Sequence, residues 1–271
     1  MKKPPFKHHG ILLAIAFLTI ASPTFAEGED ETAWNGTLKA KFFGEQVIAE
    51  DKDTIEISGP YRAEDPALVP IQVTSKFPQT PDHFIKNITV VIDNNPVPFS
   101  ASFDFTPESG KADIATRMRV NAYTFVRAIA QTNDGKLHMA KTFIKASGGC
   151  SAPIGTDAEA AKARMGKMKF KLEGDKAVLG QPNPLQLLIS HPNITGMQMD
   201  QISRVVQPAH YVTDVKVTFD GKPILGVKGD IAVSADPNFR FFFTPSQAGE
   251  LKAEIKDNLG NQWNASQQIA P

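Results

Sequence analysis

Val215-Lys216-Val217-Thr218-Phe219-Asp220-Gly221-Lys222-Pro223 is the stretch that decides the fold. Val215, Val217 and Phe219 alternate with Lys216, Thr218 and Asp220, a period of two that gives an extended strand one apolar and one polar face. The Asp-Gly-Lys-Pro that closes it is turn chemistry. Downstream, Leu251, Ala253 and Ile255 alternate in the same way with Lys252, Glu254 and Lys256 before the turn at Asp257-Asn258-Leu259-Gly260. Between these strands lies a very apolar one, Phe239-Arg240-Phe241-Phe242-Phe243, ending on Thr244-Pro245.

The first half repeats the order. Ile88, Val90 and Ile92 lead into Asp93-Asn94-Asn95-Pro96, then comes Phe103-Asp104-Phe105-Thr106-Pro107, then Val126 to Ala130, then the turn Asn133-Asp134-Gly135-Lys136. Two copies of one antiparallel unit are the economical reading, with Phe103/Phe105 equivalent to the strand at 239–243. Each copy, at about 100 to 120 residues with closely spaced strands, suits an immunoglobulin-like β-sandwich. A barrel shares this periodicity. The fold class expected is therefore all-β: two immunoglobulin-like antiparallel β-sandwich domains joined by a flexible Cys-containing loop and a short helix.

Composition agrees. The 271 residues carry 41% hydrophobic and 21% charged side chains, with 29 basic against 29 acidic, which excludes a disordered or collagen-like chain. After the N-terminus no apolar run is long enough to span a bilayer. The N-terminus reads as a secretory signal peptide: Lys2, Lys3 and Lys7 precede an apolar core from Ile11 to Ile20, and Ser22-Pro23-Thr24-Phe25-Ala26 suits cleavage after Ala26. An uncleaved anchor is the alternative. Removing residues 1–26 takes lysines and no acid, so the remainder is slightly acidic and poorly suited to nucleic acid.

The halves are separated by Lys145-Ala146-Ser147-Gly148-Gly149-Cys150-Ser151-Ala152-Pro153-Ile154-Gly155, which has neither period and reads as a mobile surface loop. Thr156 and Glu159 have capping-box spacing for a short helix over 157–165. Cys150 is the single cysteine, so no intrachain disulfide or thiolate cluster can form. A buried small hydrophobe is the common fate of such a residue, but its glycine, serine and alanine neighbours give no apolar pattern. The functional reading is a carrier thiol, with Gly148 and Gly149 as its flexible approach. From the preceding strand a fully extended tether reaches at most ~20 Å.

These residues carry a resemblance. The stretch 88–96, Phe103-Asp-Phe-Thr-Pro107, Asp134-Gly-Lys-Leu-His-Met-Ala140 and Gly148-Gly149-Cys150 resemble SoxY, the sulfur-carrying subunit of the bacterial sulfur-oxidation system. Leu188-Ile-Ser-His191-Pro-Asn-Ile-Thr-Gly196, Phe219-Asp-Gly-Lys222 and the stretch 232–245 resemble its partner SoxZ. The order of halves is similar to the fused SoxYZ-like carriers associated with pyrroloquinoline-quinone dehydrogenases.

The resemblance implies a periplasmic, non-catalytic protein that holds a sulfur-containing intermediate covalently on Cys150. Sulfur-oxidation or quinoprotein dehydrogenase enzymes would be its partners. It implies no cofactor beyond that adduct, no nucleic acid and no membrane after signal cleavage, and it allows a homodimer. The domains expected are a signal peptide at 1–26, a SoxY-like sandwich at 27–147, a Gly-Gly-Cys loop with linker helix at 148–167 and a SoxZ-like sandwich at 168–271. One departure matters: the family's arm ends freely in Gly-Gly-Cys-Gly-Gly, whereas here Ser151-Ala152-Pro153 follows and the arm becomes a tethered loop. The alternative function is an accessory binding or assembly module with no covalent cargo.

Other constellations are weak. His83, His138, His191 and His210 form no His-x-His or His-x-x-x-His pair, so no metal site is expected, and His191 reads as structural or as a contact between halves. A glycine-tethered thiol lacks the preorganisation of a hydrolase nucleophile.

Overall fold

The computed structural model describes Met1 and residues 30–153, 163–174, 176–200 and 203–270. The expected signal peptide at 1–26 lies outside them apart from Met1, as does most of the expected linker helix, of which Ala163 and Arg164 are helical.

A π-helical turn, Trp34–Leu38, runs into the short helix α1, Lys39–Phe43. The first half then supplies β1 (Ile48–Glu50), β2 (Ile55–Ser58), β3 (Val69–Ser75), β4 (Ile85–Ile92), β5 (Phe99–Asp104), β6 (Ile114–Met118), β7 (Thr124–Thr132) and β8 (Leu137–Ile144). The second supplies β9 (Met168–Leu172), β10 (Asn183–Ile189), β11 (Val212–Phe219), β12 (Lys222–Gly229), β13 (Asn238–Phe243), β14 (Gly249–Asp257) and β15 (Gln262–Ile269). The alternation read from the sequence holds in β11 and β14, whose Val215, Val217, Leu251, Ala253 and Ile255 face inward.

The strands form two layers, a nine-stranded sheet ordered β1-β8-β7-β4-β5-β12-β11-β14-β15 and a six-stranded sheet ordered β2-β3-β6-β13-β10-β9. Each half is a β-sandwich-like unit, and both layers continue across the seam. β5 pairs antiparallel with β12, with Phe103 opposite Val227, and β6 meets β13 at Ala115 and Arg240. One hydrophobic core runs through both halves, from Ile55 and Ile71 to Leu251 and Ile269.

The strand orders correct the expected repeat. β4, β5, β7 and β8 occupy in the first half the places of β11, β12, β14 and β15 in the second, and β6 that of β13. Phe103 lies on β5 and Phe239 on β13, in opposite layers, so the two Phe-Thr-Pro stretches are not equivalent. They are packing partners, with the Phe103 and Phe239 rings edge to face at 6.2 Å. The two stretches look alike because both strands bury phenylalanine in the same core.

β7 breaks the period of two and is buried on both faces. Its outer face is covered by the N-terminal helical segment, where Trp34 and Leu38 pack on Val91, Ile129, Leu137 and Met139. Beneath that cover Arg127 is fully buried, paired with Asp93 through Nη2 at 2.8 Å and with Glu31 at 3.1 Å, and lies 4.7 Å from the Trp34 ring centroid. Among the described residues no helix is long and apolar enough to cross a membrane.

Candidate functional site

The segment carrying Cys150 leaves β8 at Ile144 and follows the seam between the halves. The mobile surface loop expected over 145–155 is corrected over residues 145–153 by hydrogen bonds and burial that seat the chain, while Ile154 and Gly155 lie outside the described residues. The Lys145 N–H donates to the Tyr61 carbonyl at 2.7 Å, the Gly148 N–H to the Asn121 carbonyl at 2.9 Å, and the Gly149 N–H to the Val120 carbonyl at 3.2 Å. The Cys150 N–H donates to Asn121 Oδ1 at 3.2 Å. From the second half, Thr195 Oγ1 donates to the Cys150 carbonyl at 2.6 Å and Gln198 Nε2 to the Ala152 carbonyl at 2.8 Å. Both halves therefore grip this backbone.

The two glycines have other roles than flexibility. Gly148 has φ +78°, a left-handed conformation that side chains disfavour. A Cβ on Gly149 would stand 2.6 Å from the Val120 carbonyl oxygen and closer still to that of Pro66. Only a glycine lets the chain pass between them. Cys150 itself is 1% exposed. Burial pushes its thiol up, and the nearby Arg119 guanidinium pulls the other way. At neutral pH the seated thiol is protonated and a poor nucleophile.

Arg119 is the residue sequence reasoning missed. It is 3% exposed, donates through Nη1 to the Gly149 carbonyl at 3.1 Å and through Nη2 to the Asn193 carbonyl at 3.3 Å, and its Nε has no partner. Burial holds its pKa below the ordinary arginine value. The segment it sits on is fixed from the Asp93-Asn94-Asn95-Pro96 turn: Asn95 Nδ2 donates to the Arg119 carbonyl, and Asn95 Oδ1 accepts from the Asn121 N–H. Asn121, Gln198 and Arg119 carry no local sequence signal, because their partners lie far along the chain. Thr195 lies in the stretch 188–196 that resembles SoxZ, which was the only available pointer to it.

The histidines fall in separate places. His83 stacks on Phe77 at 4.1 Å, and His138 Nδ1 contacts Asp51 at 2.5 Å and Thr54 at 3.1 Å. His191 and His210, distant in sequence, come together with Asp257, their ligating atoms lying within 4.8 Å of one another. His210 Nε2 meets Asp257 at 2.7 Å. His191 Nδ1 accepts from the Asn193 N–H at 3.1 Å, so the neutral ring carries its hydrogen on Nε2, which is buried with no hydrogen bond, Asp257 Oδ2 standing 3.7 Å away. A metal at that nitrogen would require the opposite tautomer, which metal-bound histidines stabilise by donating from the other nitrogen. The donor set does not fit a metal. Burial, and then the neighbouring His210, lowers the His191 pKa to about 4. His191 packs within the second half, against His210 and Trp263.

The family model described as sulfur oxidation protein SoxY matches residues 39–150, and that described as sulphur oxidation protein SoxZ matches residues 171–268. The chain thus carries a SoxY module followed by a SoxZ module in one polypeptide, the two matches together spanning most of its length. Cys150 is the last residue of the SoxY match, and the seam of the two sheets is the seam of SoxY and SoxZ. SoxY and SoxZ are non-catalytic components of sulfur oxidation that work with other proteins of that system, generally in the periplasm.

Among solved structures, a superoxide reductase (neelaredoxin) variant from Ignicoccus hospitalis is 21% identical over 42% of this chain and 87% of its own, with TM-score 0.29. A putative superoxide reductase from Thermotoga maritima is 18% identical over 41% of this chain and 89% of its own, also with TM-score 0.29. The fibronectin(III)-like modules of Clostridium thermocellum CbhA are 11% identical over 79% and 93%, with TM-score 0.23. Likenesses this low carry no functional reading. No curated protein matches the chain.

Proposed function

We propose that this SoxY–SoxZ chain is a periplasmic carrier that holds a sulfur-containing intermediate covalently on Cys150, and that the seated thiol is its resting state. The observation that carries the reading is the position of the single thiol. It ends the SoxY match and is held by its own backbone, through Asn121 from one module and Thr195 from the other. Cys150 Sγ takes no part in those bonds, so residues 148–153 can leave the seat by exchanging backbone hydrogen bonds for water or for a partner's backbone. Loading then requires the loop to open. A partner enzyme would have to displace it, because the bare seated thiol is protonated and enclosed. The tethered arm favours partners with a wide cleft, and the quinoprotein dehydrogenase type of system is the one we assign to it, with export by the signal peptide at 1–26. Catalysis belongs to the partners.

The test is intact-mass analysis of the protein purified from its native host. Sulfur, sulfonate or thiosulfonate adducts are expected on the wild type and absent from Cys150→Ser. A thiol bare under active sulfur metabolism overturns covalent carriage.

The burial of Cys150 specifically favours a second reading, an assembly module in which the two fused modules supply a contact surface and the cysteine only packs. In that case Cys150→Ser leaves partner binding and pathway activity intact.

A further inference from the structure

We infer that Arg119 is the counter-cation of Cys150 in its ionised form, so that the seam holds a built site for the thiolate. The inference deepens, and rests on, the reading of Cys150 as a functional thiol. Among the described residues no carboxylate lies within ion-pair distance of Arg119, although the side chain is almost wholly enclosed. A buried cation without an anion is expensive, and two backbone carbonyls compensate it only in part. Its Nε–H has no acceptor. The contrast with Arg127 is direct: that buried guanidinium has Asp93 and Glu31. The group placed to complete Arg119 is the residue whose preceding carbonyl it already holds, Cys150. Once ionised, the Cys150 thiol would be stabilised by Arg119 against the cost of its burial, and the other charge favouring the Arg119 cation is that of the exposed Asp65. A thiolate formed there would be the attacking species toward a sulfur electrophile.

The experiment follows thiolate absorbance in the ultraviolet against pH on the full chain, with Cys150→Ser subtracted. Arg119→Gln is expected to raise the pH of ionisation by about one unit or more, a tenfold loss of thiolate at fixed pH, while Arg119→Lys restores most of it. A folded Arg119→Gln protein that titrates with the wild type overturns the inference and leaves Arg119 as a clip between the halves. Should Arg119→Gln fail to fold, the guanidinium carbon NMR resonance of Arg119 in the unmutated protein decides. It is expected to move with thiol ionisation and to stay fixed in Cys150→Ser; no movement in either overturns the pairing.

Tetrathionate separates this inference from carriage. The Cys150 thiolate attacks an inner sulfur, forming Cys–S–S–SO3⁻ and releasing thiosulfate as the leaving group, with no other oxidant. Wild type that acquires this mass, with a thiol titration that Arg119→Gln leaves unmoved, supports carriage and overturns the pairing. Wild type that never acquires it, while the titration shifts as expected, keeps the pairing and overturns carriage.

Discussion

At the scale of single residues, the seat of Cys150 depends on what Gly149 lacks. A methyl group there would meet the Pro66 and Val120 carbonyls, rigid backbone that cannot turn aside. Gly149→Ala is expected to cost about 1–3 kcal/mol, measured by urea denaturation. It should also speed native-state labelling of Cys150 by about tenfold, because 1.4 kcal/mol of lost seating is a tenfold rise in the open population. Unchanged labelling would mean that the thiol is reached by another route. In the wild type, labelling should be far slower in the native state than in denaturant.

His191 makes a pH prediction of definite sign. Its folded pKa, about 4, lies below the unfolded value of about 6.5. The unfolded chain therefore takes up the proton first. The contribution to stability is complete above about pH 6.5 and is lost as pH falls toward 4, by up to roughly 3 kcal/mol. His191→Gln should flatten that part of the stability profile. Asp257 works in the same cluster: burial alone would raise its pKa, but hydrogen bonds from Asn261 and His210 hold it below the ordinary carboxylate range.

At the scale of elements, the N-terminal helical segment is fastened to β7 through Arg127. Burial raises the Asp93 pKa against the opposing pull of Arg127, so the carboxylate relies on that guanidinium to remain charged. Arg127→Met removes one partner and leaves Asp93 enclosed, an expected loss of about 3–5 kcal/mol. Trp34, buried against Arg127, should then shift its fluorescence toward that of exposed indole. Replacing Arg127 and Asp93 together by apolar residues should cost less than Arg127→Met alone. The segment's role was not legible beforehand. Its cover explains why β7 is buried on both faces and not in alternation.

For the whole molecule, continuous sheets and one core predict one cooperative transition. Phe103→Ala, at the contact with Phe239, should cost about 3–5 kcal/mol and lower the melting of both halves together. Two resolved transitions in calorimetry would contradict the shared core. A cleavage site placed between residues 153 and 163 should leave the SoxY and SoxZ modules bound after cutting, because β5 with β12 and β6 with β13 hold them through the sheets and not through the connector.

The sequence by itself determined the all-β class, the positions of β4, β5, β7, β11, β13 and β14, the presence of two modules and the uniqueness of Cys150. Those properties are written in a period of two, in turn residues and in motif order, all of which are local. Only the tertiary structure decided that the modules share both sheets, that Phe103 meets Phe239 across the core, and that Cys150 is enclosed beside Arg119. Each of those is a contact between segments far apart in the chain. The glycines and serine around Cys150 suggested freedom because small residues permit movement; the same smallness permits the close backbone approach that holds the segment in place.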